Sequence, residues 1–508
     1  MHIKNVIYYR KGIERRKMKL SKIVINNFRG IKDATIIFRD NVSFLVSNNN
    51  VGKTRILECI YAFYQASKED MDVEFYYDLN DSDRTRIRES DSKLIIIDEK
   101  VRITYKNKKY MLNSSDAKSL VNDGIFGEVI YIPAVSDHSN ETDVSKTTTS
   151  ISKLISSFFT KRESLKYKLE KLNDDLKMIV SDIKKEAQYD MEQMNTDVLF
   201  SGIEMQIQDK EFDNLQIIKN NVKLKVNENG RSKDISELGT GVQRSIVNSI
   251  ILHGMSTEKY TIILYDEPET FLNVSFQRKI MQKIYLNSAL NTQYIIATHS
   301  PDIIYRCKNI FNKIIKISKK ENNNIDVKQY GQTKYEKAVK TYNDSLNEAT
   351  SDLILRENIN ETTLAWWDRN RVNALFEDKI LIVEGPTEEI FVDLELENIT
   401  YISMASGKFT IPYFKILFEE IFGIKVICMY DKDDESNQKH MKINEYIRSN
   451  IEKRIELNNS IEDELGYNIG NSSERRKQQI LLEKLLNNEI SEVKIQELKN
   501  KIKEAYDK

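Results

Sequence analysis

The sequence predicts an α/β protein in two parts, each built around a mostly parallel sheet. Unbroken apolar runs are typical of strands that are buried on both faces of such a sheet. Such runs, interrupted by Ser43 in the first and preceded by Lys379 in the fourth, fall at residues 42–46, 262–265, 295–297, 379–383 and 426–430. In the first part, the run at 42–46 leads into a polar turn and then a helix from Arg55. In the second part, the runs end at acidic residues.

Length and composition limit the number of domains, the kinds of partner and the cellular compartment. A chain of 508 residues has room for two or three domains. The net charge of -1 gives no support to polyanion binding by overall charge, so any nucleic-acid surface must come from local segregation of Lys and Arg. Three scattered cysteines, without zinc spacing, indicate a reducing compartment. No apolar stretch is long enough to cross a membrane, and the basic start lacks a signal-peptide core, so we expect a cytoplasmic protein without membrane association.

The turn at residues 47–54 (SNNNVGKT) lies between a strand and a helix, as a phosphate-binding loop requires. Backbone amides of Asn49, Asn50 and Gly52 would cradle the phosphates of ATP. Lys53 would reach the β- and γ-phosphates, and the Thr54 hydroxyl would bind Mg²⁺. Ser47 replaces the first glycine of the usual motif, which predicts backbone strain if that position needs a positive φ.

Two later strands end in further nucleotide-site residues. After the run at 262–265, Asp266 would hold Mg²⁺ through water and Glu267 would polarise the attacking water. After the run at 295–297, His299 is placed to contact the γ-phosphate.

Between the loop and these strands, residues 236–244 (SELGTGVQR) predict a small-residue turn that opens a helix. Amides of Gly239 and Gly241 could bind an anion, and Gln243 would keep the turn in shape. The equivalent of a Gln-loop is not assigned, with residues 133–138 the nearest candidate stretch.

The order of these four motifs resembles the ABC-type P-loop ATPases of the SMC and RecF kind. In that group, nucleotide is held between two heads, and one chain carries a single set of motifs. The resemblance therefore implies a homodimer or a dimer of dimers.

Carboxylates follow both strands of the second part. Residues 384–388 (EGPTE) end one run and residues 431–433 (DKD) end the other, a pair that resembles a TOPRIM domain. Oxygen clusters of this kind suit Mg²⁺ or Mn²⁺. Glu384 is the predicted central ligand, with Glu388 facing the same pocket from the first helical turn. Asp431 and Asp433 lie around the end of the second strand, where side chains alternate in direction, so only one of them should point at the metal.

The combination of head motifs and TOPRIM pattern is similar to the OLD family of nucleases, over about residues 18–345 and 376–466. The resemblance implies a further ligand in the acidic stretch 460–465, where we choose Glu462, and a catalytic lysine beyond it. Lys477 is the nearest candidate, in competition with Arg475 and Arg476. Lys408, in a small-residue loop between the metal strands, is placed to contact phosphate.

The resemblance implies an ATP-regulated, Mg²⁺- or Mn²⁺-dependent endonuclease that acts on double-stranded DNA in antiphage defence. It leaves open a partner encoded nearby, either a helicase as in Gabija-like systems or a retron. The alternative is a DNA-sensing ABC-type ATPase whose TOPRIM domain is regulatory. Intact Glu384, Asp431 and Asp433 speak against this alternative.

The predicted organisation is an extension at 1–17, an ATPase domain at 18–345, a linker at 346–375 and a TOPRIM domain with a helical tail at 376–508. Within the head, a heptad stripe from Leu165 to Ile183 predicts a helical insert at about 150–200, which either packs on its own head or contacts a second subunit. Trp366 and Trp367 would anchor the linker junction, with base stacking as the alternative.

Overall fold

The computed structural model describes residues 18–48, 51–65, 69–90, 100–112, 115–134, 200–207, 222–228, 231–234, 237–239, 241–246, 260–288, 291–304, 307, 309–320, 324–346, 367–403, 407–433, 435–469 and 474–507. These residues form two compact units. Unit 1 takes those within Met1–Leu45, Gly52–Ile303 and Lys319–Ile325, and unit 2 takes those within Val46–Val51, Ile304–Ser318 and Asp326–Lys508. Both units are therefore discontinuous in sequence.

Unit 1 is a mixed α/β structure. Its strands are β1 (Lys19–Asn27), β2 (Ala34–Ile37), β3 (Val42–Val46), β4 (Asp72–Asp78), β5 (Lys100–Lys106), β6 (Lys109–Leu112), β7 (Ser115–Asp116), β8 (Glu128–Ile132), β9 (Phe200–Ile207), β10 (Val222–Glu228), β11 (Arg231–Asp234), β12 (Thr261–Asp266) and β13 (Thr292–Ala297). Its helices are α1 (Lys53–Tyr64), α2 (Asp81–Ser90), α3 (Lys118–Asn122), α4 (Val274–Ser288) and α5 (Pro301–Ile304).

The predicted parallel sheet of unit 1 is confirmed. Strands β3, β13, β12 and β8 lie side by side in that order, all parallel. Every residue of β12 and β13 is buried, as their continuous apolar runs predict. Because parallel strands end at the same edge, the residues that follow β12 and β13 come together there.

A second sheet of unit 1 is antiparallel, in the order β2-β1-β4-β5-β6-β7. In β4, buried and half-buried residues alternate, which is typical of a strand with one face on a core. Strands β9, β10 and β11 form a separate antiparallel meander.

Unit 2 contains the C-terminal elements. Its strands are β14 (Ile314–Lys319), β15 (Ile325–Gln329), β16 (Lys379–Val383), β17 (Tyr401–Ser403), β18 (Lys425–Asp431) and β19 (Arg454–Leu457). Its helices are α6 (Ile310–Lys313), α7 (Gln332–Ser345), α8 (Arg369–Asn373), α9 (Pro386–Glu395), α10 (Ile411–Lys415), α11 (Gln438–Asn450), α12 (Ile461–Leu465), α13 (Glu474–Leu486) and α14 (Glu492–Asp507). Short 3₁₀ segments cover Ala374–Phe376 and Lys408–Thr410, and a π-helical segment covers Ile416–Ile421.

The sheet of unit 2 is parallel throughout, in the order β17-β16-β18-β19. Its core combines apolar residues of β16, β18 and β19 with those of α9, α12, α13 and α14. The carboxyl ends of β16 and β18 are adjacent, since the backbone N–H of Glu384 donates to Met429 O at 3.1 Å. The two acidic turns are thereby brought to one place.

The division into units differs from the predicted domain boundaries. Helix α7, expected at the end of the ATPase domain, groups with unit 2. Its Tyr342 hydroxyl donates to Phe409 O at 2.9 Å, and Asn343 Oδ1 accepts from Tyr413 at 2.7 Å. Trp367 is buried against Phe311 and Phe418, which fits the anchoring role rather than base stacking. The extension at 1–17, the heptad stripe and Trp366 lie outside the described residues.

Candidate functional site

The phosphate-loop motif is formed at the start of α1. Gly52 has a φ of 123°, a conformation that glycine adopts without strain. The φ of Ser47 is not positive, so the serine in place of glycine carries no backbone strain. Its hydroxyl is buried and donates to Asn48 O at 2.6 Å. Asn49 and Asn50 lie outside the described residues.

Lys53 and Thr54 reach the ends of the two central strands. The Lys53 ammonium lies 2.5 Å from His299 Nε2. The Thr54 hydroxyl donates to Asp266 Oδ2 at 2.9 Å. Burial lowers the pKa of His299 and the nearby Lys53 lowers it further, so the imidazole is neutral and can accept from the ammonium. Four sequence-predicted residues are thus brought together around one point.

Asp266 has the features of a cation ligand. Burial raises its pKa to about 6, although the hydrogen bond from Thr54 opposes the rise. Among the described residues, its buried Oδ1 has no hydrogen-bond partner. A buried carboxylate oxygen without a donor is costly unless a cation or water meets it. The site therefore fits Mg²⁺ at Asp266 and Thr54.

Glu267 and His299 are held close to each other. His299 Nε2 lies 3.7 Å from Glu267 Oε1. Glu267 has a φ of 44°, in the left-handed region that non-glycine residues rarely adopt. Such strain is typical of functional turns, where the surrounding structure fixes an unfavourable conformation.

Sequence reasoning gave no role to Glu269, which orients the histidine turn. Its half-buried carboxylate accepts from the backbone N–H of His299 at 2.6 Å and from the Thr298 hydroxyl at 2.9 Å. The second glutamate of the DEPE sequence was a usable signal. Asn273 fills a structural role, since its side chain accepts from the Phe276 N–H at 3.0 Å at the start of α4.

The small-residue turn is tied to its own subunit through Gln243 and Arg244. The Gln243 amide donates to Leu238 O at 2.7 Å, so it braces the turn as expected. Fully buried Arg244 donates to Pro133 O at 2.9 Å and to Asp266 O at 3.4 Å. Gly239 and Gly241 flank Thr240, which lies outside the described residues.

The second cluster lies at the carboxyl ends of β16 and β18. Glu384 Oε2 accepts from the backbone N–H of Asp431 at 2.9 Å, and the nearby Lys408 backbone opposes the rise that burial causes in the pKa of Glu384. Glu388 is buried at the start of α9 and accepts from the Gly385 N–H at 2.9 Å. Ser460 caps α12, which carries buried Glu462.

The charges of this cluster repel one another. Burial raises the pKa of Asp431 well above its usual range, and the charges of Glu388, Glu384, Asp433 and Glu462 raise it further. Burial likewise raises the pKa of Glu388, with a contribution from Glu384 and Glu462. All four carboxylates lie near enough to Asp431 to raise its pKa, while their role as metal ligands stays a prediction.

Asp431 has an oxygen atom that a cation could meet. Among the described residues, its buried Oδ1 has no hydrogen-bond partner. The donors around it are carboxylate oxygens, the ligands that hard divalent ions prefer. Among the described residues, no three or more His, Cys, Asp or Glu side chains are arranged so that they could hold a metal ion together. The carboxylates therefore suit Mg²⁺ or Mn²⁺ by the type of ligand atom, and not by their arrangement in this structure.

The side chain of Asp433 contacts basic residues. The Asp433 carboxylate contacts the Lys408 ammonium at 2.6 Å and lies 3.6 Å from His440 Nδ1. His440 was not predicted, and a lone histidine on polar α11 gave no signal. Lys477 is half-buried on α13, a helix that packs against α9. Its catalytic role stays a prediction.

Comparison with known proteins bears on both sites. A family model described as an AAA ATPase domain matches residues 18–130 and 126–304. A second model, the TOPRIM domain of proteins like the overcoming lysogenization defect protein, matches residues 375–433. The matched stretches contain the phosphate loop, Asp266 and His299 in the first case, and Glu384 and Asp431 in the second.

Two curated relatives are similar in sequence. The Old nuclease of Escherichia phage P2 is 26% identical over 428 residues, covering 73% of this chain and 68% of the relative. Endonuclease GajA of Bacillus cereus (strain VD045) is 24% identical over 178 residues, covering 34% of this chain and 26% of the relative. Among solved structures, an SMC head bound to the C-winged helix domain of ScpA aligns with a TM-score of 0.44 and 13% identity, over 62% of this chain and 99% of that one.

Proposed function

This chain belongs to the OLD family of nucleases and carries an AAA ATPase domain, and we propose that it is a divalent-metal-dependent endonuclease of double-stranded DNA. We propose further that ATP regulates this cleavage. The observation that carries the proposal is the group of mutually repelling carboxylates around Asp431, which includes an oxygen without a donor. Such a group is unfavourable in an empty protein and becomes favourable when a cation binds.

Each residue has a defined task in the proposed cleavage reaction. Glu384 and Asp431 would hold Mg²⁺ or Mn²⁺, with Glu388 and Glu462 as further carboxylates. A bound divalent ion polarises the scissile phosphate and lowers the pKa of an attacking water. In the metal-free protein the raised pKa values of Asp431 and Glu388 keep protons in the cluster, and these protons must leave before the carboxylates can bind a cation.

The proposed roles in ATP binding and hydrolysis rest on contacts within unit 1. Lys53 would bind the β- and γ-phosphates, while Thr54 and Asp266 would hold Mg²⁺. Glu267 would polarise the attacking water, with neutral His299 beside it. We propose that two subunits form composite nucleotide sites, because one chain supplies a single phosphate loop and a single small-residue turn. A dimer of dimers satisfies the same requirement.

The cellular role that we propose is defence against phage. The matched TOPRIM model is described by an effect on lysogenization, and the P2 relative is itself a phage nuclease. A helicase or a retron encoded nearby would be the partner. The genes beside this one distinguish the two.

Cleavage is tested with purified protein on supercoiled and linear duplex DNA. We expect nicking or cutting with Mg²⁺ or Mn²⁺ and none with EDTA. Glu384→Ala should lose cleavage by about a hundredfold or more, because a metal ligand is removed. Glu397→Ala, on an exposed residue just after α9, is the matched control and should cleave normally.

Lys53→Ala, assayed with and without ATP, reports on regulation. The variant should lose the ATP effect on cleavage while keeping the metal requirement. Full cleavage by Glu384→Ala would overturn the proposed site. ATP hydrolysis without any DNA cleavage would instead favour the alternative, an ATPase with a regulatory TOPRIM domain.

A further inference from the structure

Lys408 is a buried cation inside the carboxylate cluster. It opens the 3₁₀ segment Lys408–Thr410, and only 2% of the residue is exposed. Burying an ammonium is costly unless each of its donors finds an acceptor. Here Nζ donates to Asp431 O at 2.8 Å, to Lys432 O at 3.3 Å and to Asp433 Oδ2 at 2.6 Å. All these acceptors belong to one turn, so the ammonium is directed at the turn itself.

The backbone around Lys408 lies beside Glu384, at the end of β16. Gly407 has a φ of 72°, and a Cβ at this position would lie 3.7 Å from Glu384 Oε1. The next backbone N–H, that of Lys408, is near enough to the Glu384 carboxylate to lower its pKa. The Lys408 backbone therefore lies beside the end of β16, and its side chain bonds the turn after β18.

The turn after β18 needs such support. Asp433 has a φ of 56°, a left-handed conformation that costs free energy in a non-glycine residue. This turn is also held by the backbone bonds from Lys432 N to Leu457 O at 3.1 Å and from Asp433 N to Asn459 O at 3.4 Å, and the Asn444 side-chain amide donates to Lys432 O at 2.7 Å. The Lys408 ammonium adds a charged bond to the side chain of the strained residue, and charged bonds are the stronger kind.

We propose that Lys408 is a positioning residue, a resident cation that holds the Asp431–Asp433 turn in the conformation from which Asp431 faces the metal. This inference rests on the proposed nuclease function. It assigns Asp433 to the anchoring of Lys408 and leaves Asp431 as the ligand of this turn. It also differs from a phosphate contact, because the donors of Nζ are already directed at the protein.

The first test uses metal-free protein in EDTA and does not depend on nuclease activity. Lys408→Met keeps the length of the side chain and removes its charge, while Asp433→Asn keeps the shape and weakens the ion pair. Each substitution should lower the unfolding temperature. The unfolding temperature of the double variant should be close to that of the less stable single variant, because both changes break the same contact. Additive losses would contradict the proposal.

The second test separates positioning from phosphate contact. A lysine that contacts a phosphate of duplex DNA contributes about 0.9 to the slope of log affinity against log salt concentration. We expect Lys408→Met to leave this slope unchanged in EDTA while its cleavage rate with Mn²⁺ falls by about a hundredfold. A slope reduced by about 0.9 would overturn the proposal in favour of a phosphate contact.

Two further variants complete the design. Lys425→Met, an exposed lysine at the opposite end of β18, is the matched control and should behave as the parent in both tests. If Lys408→Met does not fold, Lys408→Gln replaces it. Glutamine retains N–H donors, so this variant should lower the unfolding temperature by less. Absence of DNA cleavage by the parent protein would sink the proposed function, while the unfolding experiment would still report on Lys408.

Discussion

Lys316 shows at the residue scale how burial controls ionisation in unit 2. Its side chain is 1% exposed, and its ammonium donates to Leu375 O at 3.0 Å and to Glu377 O at 2.7 Å. Burial lowers the pKa of Lys316 to about 8, against a smaller opposite effect of Asp378. A neutral amine still has two N–H donors, so deprotonation need not break either bond.

This pKa predicts a pH-dependent stability. Between pH 8 and the unfolded-state pKa of about 10.4, the unfolded chain binds a proton at this lysine that the folded protein has released, so stability rises with pH. From pH 7.5 to 9.5 the gain should be about 2 kcal/mol, and Lys316→Met should lack it. Urea unfolding at both pH values measures the difference. Lys319→Met, exposed on the same strand, should retain the gain; identical pH profiles for the parent and Lys316→Met would contradict the assignment.

Single residues were predictable where a motif fixes their place. Strand ends fixed Lys53, Asp266, Glu384 and Asp431, because a parallel sheet brings its carboxyl ends together. The partners of those residues were not predictable. The DEPE sequence carries a signal for Glu269, and Lys408 was expected at a phosphate, but the contacts of Lys408 and His440 with Asp433 are tertiary and no spacing in the sequence encodes them.

At the scale of elements, the small-residue turn is the part that a second subunit would meet. Its two glycines have different surroundings within the subunit. A Cβ at Gly241 would lie 2.6 Å from Phe271 O, whereas Gly239 has no heavy atom of the described residues within 4 Å of such a Cβ. Phe271 has a φ of 63° and is 55% exposed. A substitution at Gly241 therefore disturbs its own subunit, and one at Gly239 tests the space outside it.

Composite sites predict complementation between subunits. Lys53→Ala lacks the phosphate lysine, and Gly239→Trp would block the face that meets the second nucleotide. Each should lack ATPase activity alone, and co-assembled subunits should recover part of it, because a mixed dimer keeps one intact site. The ATPase rate of the mixture measures this. A mixture no more active than its separate components, or a fully active monomer in light scattering, would contradict the composite site.

Elements differed in how well the sequence predicted them. The buried parallel strands β12, β13, β16 and β18 were predictable because continuous apolar runs have few alternatives. The antiparallel sheet that contains β1 was not, because strands such as β4 and β5 alternate buried and more exposed residues and have no continuous apolar run. Their pairing depends on partners such as β1 and β4, which lie far apart in sequence.

At the scale of the whole molecule, the predicted order of an ATPase part followed by a TOPRIM part agrees with the family matches. The predicted boundaries assumed that each part is continuous in sequence. Unit 2 instead includes Val46–Val51 and Ile304–Ser318, which lie between segments of unit 1. Composition marks polar linkers but carries no signal for a chain that passes between units more than once. Within the described residues, the helices are too short or too polar to cross a membrane.

The central claim is that the carboxylates around Asp431 form a metal-dependent nuclease site, and a Mn²⁺ titration of DNA cleavage by Asp431→Asn tests it most directly. Asparagine keeps the shape and removes the charge that its neighbours oppose, so the metal-free variant should be at least as stable as the parent at pH 8. ATP hydrolysis should be unchanged. Cleavage should fall by about a hundredfold or more at every Mn²⁺ concentration. Cleavage by Asp431→Asn at the parental rate and the parental Mn²⁺ requirement would contradict the account.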